Sequence, residues 1–257
     1  VNSDHTVTIE STNAYYGLMS QGTTALIPSK TMSSGKAVID VVLYAAVPQV
    51  ISVRDISRPA GDTELDADTL TLTVLPNQDT ARRLLVLVPD EAHVPGSQTG
   101  KSGNAATTKA GTPLEWVTVK ACDAYYNQID TYEPVVVLSS TVGGSADPFA
   151  VLPVSGDDTR INGGSRTFLN TIMFKVATGG AANRILKATA IGYSDSDSSA
   201  MVTDSDTLYG LQVIMPGEIA VPGSVTGKSQ SPSAQKAGLA VSPVIVKAVD
   251  KYWNIIA

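Results

Sequence analysis

A chain of 257 residues is long enough for about two domains, and a hydrophobic content of 43% is sufficient for folded cores. A net charge of −6, with no basic cluster longer than Arg82-Arg83, argues against a nucleic-acid-binding surface, because such surfaces need clustered lysines and arginines. No apolar run approaches the roughly 20 residues of a membrane-spanning helix. Abundant Val, Thr, Ser, Ala and Gly, with few Phe and Trp, are typical of β-sheet proteins.

The leading segment, residues 1–88, is predicted to be the later part of a repeat unit. Residues 6–12 match residues 135–141, and residues 50–53 match residues 185–188. A glycine before a long predicted strand recurs as Gly35 and Gly164. The match drifts in offset because residues 58–80 contain an insertion.

The strongest internal match begins at the end of that segment. Residues 84–127 align without a gap to residues 211–254, and 22 of the 44 positions are identical. Chance would give two or three identities. The chain therefore contains an internal repeat with a period of 127 residues.

The middle segment, residues 89–215, is predicted to be a complete unit. Apolar stretches alternate with Gly, Pro, Ser, Asn and Asp, and none keeps a helical period for three turns. This pattern predicts an all-β fold of tandem immunoglobulin-like antiparallel β-sandwiches. With its lead-in, the unit is predicted to have strands near residues 84–90, 114–123, 133–140, 149–153, 166–175, 184–193 and 208–215.

The trailing segment, residues 216–257, repeats only the opening strands of a unit, whereas residues 1–88 lack them. Neither piece can bury its apolar face alone. Either the tail of one chain completes the first unit of the next by β-strand complementation, or the sequence is a window of a longer array. The residues predicted to carry assembly are Val244, Val246 and Ala248 on the donated strand and Ile9, Val38, Val41 and Leu43 in the groove.

Each opening strand leads into the same motif, Asp-x-Tyr-aromatic-Asn, at residues 123–127 and 250–254. Asp and Asn side chains in such a corner can bond local backbone groups, so the motif predicts a structural turn, with a ligand site as the alternative. The pattern Val-Thr-Val-Lys-Ala-x-Asp-x-Tyr-x-Asn resembles the bacterial immunoglobulin-like domains of surface adhesins and invasin-like proteins. The resemblance covers both units. It implies an extracellular, cell-surface location and a mechanical role without catalytic residues.

Two acidic clusters are the best candidates for binding a metal. Alternating carboxylates in a loop could bind Ca²⁺, and a cation between consecutive units would stiffen a stalk. The spacing matches no EF-hand loop, so acidic, solvated loops remain the alternative. The residues are Asp62, Glu64, Asp66 and Asp68 in the first cluster and Asp195, Asp197, Asp204 and Asp206 in the second.

Catalytic chemistry has little support in the sequence. Neither His5 nor His93 recurs in the repeat, and the repeated residues are those of strands and turns. The segments 96–102 and 223–229 resemble a phosphate-binding loop, but only three residues separate the glycines and no helix pattern follows. We therefore predict that the protein is not an enzyme.

The sequence thus favours an extracellular structural protein, a subunit or repeat of a filament, stalk or sheath whose partners are copies of itself. The alternative is an adhesin repeat that binds a glycan or a host surface. In that case exposed aromatic rings would stack on sugars. The candidate rings are Tyr15, Tyr16, Tyr125, Tyr126 and Trp253.

Overall fold

The computed structural model describes residues 5–12, 29–57, 68–78 and 81–256. These residues form strands, turns and one short 3-10 turn at Asp157–Thr159, and no α-helix occurs among them. Within the same residues there is no helix long and apolar enough to cross a membrane. The all-β prediction is therefore confirmed. The strands are β1 (Thr6–Ser11), β2 (Ser29–Thr31), β3 (Pro48–Asp55), β4 (Thr69–Thr73), β5 (Arg83–Leu87), β6 (Glu91–His93), β7 (Lys101–Gly103), β8 (Thr108–Lys109), β9 (Trp116–Cys122), β10 (Val137–Val142), β11 (Ser145–Ala146), β12 (Ser165–Leu169), β13 (Arg184–Thr189), β14 (Ser196–Asp197), β15 (Thr203–Asp204), β16 (Gly210–Ile214), β17 (Ile219–Ala220), β18 (Lys228–Ser229) and β19 (Ile245–Val249).

The chain forms two compact units that are interleaved in sequence. Unit 1 comprises Val1–Ala81, His93–Lys101 and Cys122–Ile129. Unit 2 comprises Arg82–Ala92, Ser102–Ala121 and Asp130–Ala257. The boundaries predicted at residues 88 and 215 remain predictions. The structure adds that β5, which precedes the first predicted boundary, packs with the strands that follow it.

Unit 2 contains two larger sheets that share one core. One sheet has the strand order β11-β10-β13-β14, and the other has the order β12-β9-β5. Two further short pairings join β8 with β15 and β17 with β18. The shared core explains the alternating burial along β9 and β13, whereas β5 is buried on both faces. The core residues are Leu84, Val86, Val88, Leu114, Val117, Val119, Ala121, Val136, Leu138, Ile161, Phe168, Ile172, Phe174, Leu186, Ala188 and Met201.

Six of the seven strands predicted for this region are present, with ends shifted by a few residues. They are β5, β9, β10, β12, β13 and β16. The strand predicted at 149–153 is reduced to an isolated bridge between Val151 and Met173. The segment 149–153 pairs with the neighbouring chain segment at this one residue pair, through two backbone hydrogen bonds between Val151 and Met173.

Unit 1 has one antiparallel sheet of four strands, in the order β2-β1-β3-β4. The pairing of β1 with β3 repeats the pairing of β10 with β13. For example, Ser11 lies opposite Ile51, and Ser140 lies opposite Leu186. Unlike unit 2, the described part of unit 1 buries few apolar side chains. They are Ala45, Cys122 and Ile129.

A buried polar cluster identifies equivalent positions in the two units. In unit 2 the buried Arg184 donates to Ser140 Oγ at 3.2 Å and forms an ion pair with Asp147 at 2.7 Å. Burial lowers the pKa of Arg184, and the hydrogen bond to Asp147 opposes that shift. In unit 1 the buried Gln49 occupies this place, with its Oε1 accepting a bond from Ser11 Oγ at 2.7 Å. The two units therefore share this strand pairing and this buried polar position.

Candidate functional site: an open β-ribbon and its corner

The last two long strands form a β-ribbon, which we define as β16 paired with β19. The strands are antiparallel, with Leu211 opposite Ala248 and Val213 opposite Val246. By the repeat, β16 corresponds to β5 and β19 to β9. In unit 2, β9 is also paired with β12 on its other edge. In the described part of the chain, no strand pairs with residues 243–247 from that side.

The inward face of the ribbon is bare, although the equivalent residues on β5 and β9 are buried. Both β5 and β9 point alternate apolar side chains into the shared core, and the ribbon carries apolar side chains at the equivalent positions. Burying one such Val or Leu side chain stabilises by about 1.5–3 kcal/mol. The equivalent pairs, with the exposed fraction of each, are Leu84 (1%) and Leu211 (72%), Val86 (0%) and Val213 (44%), Val117 (0%) and Val244 (46%), and Val119 (0%) and Val246 (58%).

The opposite face of the ribbon is covered along β16, whereas Ile245 on β19 is 44% exposed. Gln212 and Ile214 are buried, and Gln212 Nε2 donates to the carbonyl of Gly227 at 2.8 Å. At the end of β16, the carboxylate of Glu218 accepts bonds from Lys228 Nζ and from the N–H of Met215. The bond from Lys228, and secondly that from Met215, lower the pKa of Glu218. Strand β16 is thus held on one face and open on the other.

The Asp-x-Tyr-aromatic-Asn corner after β19 anchors the ribbon to the rest of unit 2. Asp250 Oδ1 accepts bonds from the N–H groups of Tyr252 and Asn254, at 2.8 and 2.9 Å. Its Oδ2 accepts from the N–H of Asp206 at 2.9 Å and from Asn254 Nδ2 at 2.8 Å. Asn254 in turn bonds the N–H of Ala177 and the carbonyl of Lys175. All four acceptor positions of the carboxylate are therefore occupied.

The corner after β9 makes the same bonds within unit 1. Asp123 accepts from the N–H of Asn77 at 2.9 Å, as Asp250 does from Asp206. Asn127 bonds the N–H of Ala46 at 2.6 Å and the carbonyl of Tyr44 at 2.8 Å. The side chains of the motif's Asp and Asn are thus engaged by backbone groups and by each other, which is the arrangement of a structural turn. The predicted structural turn is present in both copies.

The aromatic residues of the corners are packed against glycines. Tyr126 and Trp253 adopt positive φ values of 61° and 68°. A Cβ added at Gly100 would lie 2.4 Å from the Tyr126 ring, and one at Gly227 would lie 2.3 Å from the Trp253 ring. The rings thus cover the glycine loops instead of standing free. Tyr15 and Tyr16 lie outside the described residues.

The loop that resembles a phosphate-binding loop satisfies its own backbone groups. Val221 N donates to the carbonyl of Gly227, and Gly227 N donates to Ser224 Oγ. The copy in unit 1 has the same two bonds at Val94 and Gly100. An anion cradle needs free N–H groups, and these N–H groups are already bonded.

The structure also locates the predicted groove residues. Ile9 is half-buried on β1, at the position of the core residue Leu138. Val41 and Leu43 are half-buried, whereas Val38 is 58% exposed and lies out of phase with them. Ala248 is half-buried beside the exposed Val244 and Val246 on the ribbon. The equivalents of Ile9, Val244, Val246 and Ala248 in unit 2 are core residues, and the role of the predicted sets in assembly stays a prediction.

The described residues do not bring the acidic clusters together. Asp62, Glu64 and Asp66 lie outside the described residues, and the exposed Asp68 accepts a bond from the N–H of Thr69. Asp195 pairs with Lys187 at 3.2 Å. No group of three His, Cys, Asp or Glu residues that could hold a metal occurs among the described residues. The remaining members of the second cluster are Asp197, Asp204 and Asp206.

No protein-family model matches the chain, and no curated protein matches it in sequence.

Proposed function

We propose that the protein is a structural component of an extracellular filament, stalk or sheath, built from tandem immunoglobulin-like sandwiches. In this assembly the ribbon of one copy completes unit 1 of the next copy by β-strand complementation. The observation that supports this proposal is the contrast between the ribbon of β5 and β9 and the ribbon of β16 and β19. The face that is buried on β5 and β9 is bare on β16 and β19.

A second copy of the chain is the proposed partner of the ribbon, because its unit 1 has strands equivalent to those that cover β5 and β9. Unit 1 repeats the β10 and β13 pairing of unit 2 in its β1 and β3. It also exposes apolar residues such as Val53, whose equivalent Ala188 is a core residue. The ribbon matches β5 and β9, and the sheet of unit 1 matches β10 and β13. Together they would supply the strands of one complete unit.

The extracellular location is supported by the resemblance of the strand-and-corner motif to bacterial surface domains. The proposed role is mechanical, and backbone pairing between copies supplies the connection. Because each copy has one ribbon and one open unit 1, the contact is head-to-tail and extends as a line.

The test is the substitution Val246→Asp. A carboxylate in the middle of the donated face cannot be buried without a partner, so we expect monomers at concentrations where the parent chain forms fibres. Electron microscopy and sedimentation would measure the fibres. The matched control is Ile219→Asp, because Ile219 is 52% exposed in the same tail and its equivalent, Ala92, is also exposed.

Fibres of Val246→Asp that equal the parent's would overturn the proposal. A parent chain that stays monomeric at every concentration would overturn it as well.

A further inference from the structure

Resting on the proposed function, we infer the register of the contact between copies. Residues 243–247 of one copy pair antiparallel with residues 36–40 of the second copy, with Ile245 opposite Val38. In the same contact, the Tyr125 ring of the second copy lies on Gly238. This assigns segment 36–40, in addition to the sheet of unit 1, to the interface.

The register follows from the pairing of β9 with β12. There Lys120 lies opposite Ser165, and Thr118 lies opposite Thr167. Two turns fix the equivalence of segment 36–40 with β12, because the bridge between Ser33 and Lys36 repeats the bridge between Asn162 and Ser165. Lys247 therefore falls opposite Lys36, and Ile245 falls opposite Val38.

The inward faces agree with this register. Residue Asn170, directly after β12, has a positive φ of 52°, which marks a local irregularity in the chain. From Lys36 to Tyr44, unit 1 is two residues shorter than unit 2 is from Ser165 to Lys175. We place this difference at the position of Asn170. With that placement, the core residues Phe168, Ile172 and Phe174 correspond to the half-buried residues Ile39, Val41 and Leu43.

The backbone hydrogen-bonding pattern is also compatible with this register. Ala121 N donates to the carbonyl of Gly164, so Thr118 and Thr167, three positions away, form a pair without backbone bonds to each other. Val38 inherits that type of position, and its carbonyl is free to keep the bond that it accepts from Lys30 Nζ at 3.0 Å. Pro243 falls at the same type of position, where its missing N–H costs no bond to segment 36–40.

A glycine marks the second part of the contact. Gly111 of unit 2 lies under the Tyr252 ring, and an added Cβ would be 2.0 Å from that ring. The repeat places Gly238 at the position of Gly111 and Tyr125 at the position of Tyr252. The space at Gly238 is open, with no atom within 4 Å of an added Cβ. The ring that fits there is Tyr125 of the second copy.

Disulfide trapping tests the register. In a Cys122→Val background, which copies Val249 of the repeat, we would introduce Val38→Cys with Ile245→Cys. Side chains of a pair without backbone bonds lie closest, as the 2.9 Å distance between the Thr118 and Thr167 hydroxyls shows. We expect oxidation to shift the monomer band into a ladder on a non-reducing denaturing gel. The single-cysteine variants would stop at dimers, and the pair Asp40→Cys with Ile245→Cys, displaced by two residues, would give no ladder.

A ladder from the displaced pair, or fibres without any ladder, would overturn the register and leave the proposed function standing. Absence of fibres from the parent chain would overturn the proposed function itself. For the second contact, Gly238→Ala should lose assembly while its unfolding midpoint stays close to that of Gly144→Ala, another glycine at positive φ with open space. Assembly of Gly238→Ala at the parent's level would overturn the contact with Tyr125.

Discussion

The ribbon of β5 and β9 and the ribbon of β16 and β19 carry the same pattern of inward apolar residues in different surroundings. Val119 is fully buried because β12 and the facing sheet cover it, whereas its equivalent Val246 is 58% exposed. The two ribbons share the corner, the glycine loop and the strand pairing. The apolar residues of the inward face are kept, and what differs there is the presence of strands that cover them. The comparison teaches that equivalent apolar residues can be buried in one ribbon and exposed in the other, depending on the strands around them.

The largest expected effect separates the two ribbons directly. Val119→Asp places a carboxylate in the core of unit 2, and we expect it to lower the free energy of unfolding by about 4 kcal/mol or more. Val246→Asp changes an exposed residue, and we expect a change within about 0.5 kcal/mol. Denaturant unfolding of dilute, monomeric protein measures both. Equal losses would mean that the ribbon is covered within one copy, which contradicts the comparison.

The next effect tests what the ribbons share. Asp123→Ala and Asp250→Ala each remove a buried carboxylate that accepts four hydrogen bonds, so we expect each to destabilise its own unit by about 2–4 kcal/mol. Hydrogen exchange at Asn77 in unit 1 and at Asp206 in unit 2 would report the loss locally. The control is Asp204→Ala, because Asp204 is exposed.

A loss at one corner but not at the other would show that the two anchors are unequal in energy despite equal geometry. A loss equal to that of the control at both corners would show that neither anchor contributes.

Much of this fold could be predicted from the sequence because period-2 alternation and turn residues are local signals. The strands around Val119 and Leu186 follow from such signals, and the repeat reveals the corner as a structural motif. Which unit covers a strand is not local, so the packing of β5 with the strands after it could not be read from its residues. The sequence also does not reveal that Val38 faces away from Val41 and Leu43. The two units differ in length by two residues in this region, and this difference hides the alternation.

The buried pair of Arg184 and Asp147 is a further feature that the sequence concealed. A single arginine in a strand gives no sign of burial, and its equivalent in unit 1 is Gln49, so the repeat does not mark the position as charged. Only the fold brings the two charged residues together over 37 positions of chain.

The smallest effect concerns the glycines beneath the corner aromatics. An alanine at Gly144 would cost about 1–2 kcal/mol, because its φ of 83° is unfavourable for a side chain and no atom is near. At Gly100 and at Gly227 the added methyl would also meet the ring of Tyr126 or Trp253, so we expect about 1–3 kcal/mol more. Thermal unfolding of the three variants measures the difference. If Gly100→Ala and Gly227→Ala match Gly144→Ala, the rings yield without cost. The aromatic residues would then not fix the loops, and the corner would depend on its Asp and Asn alone.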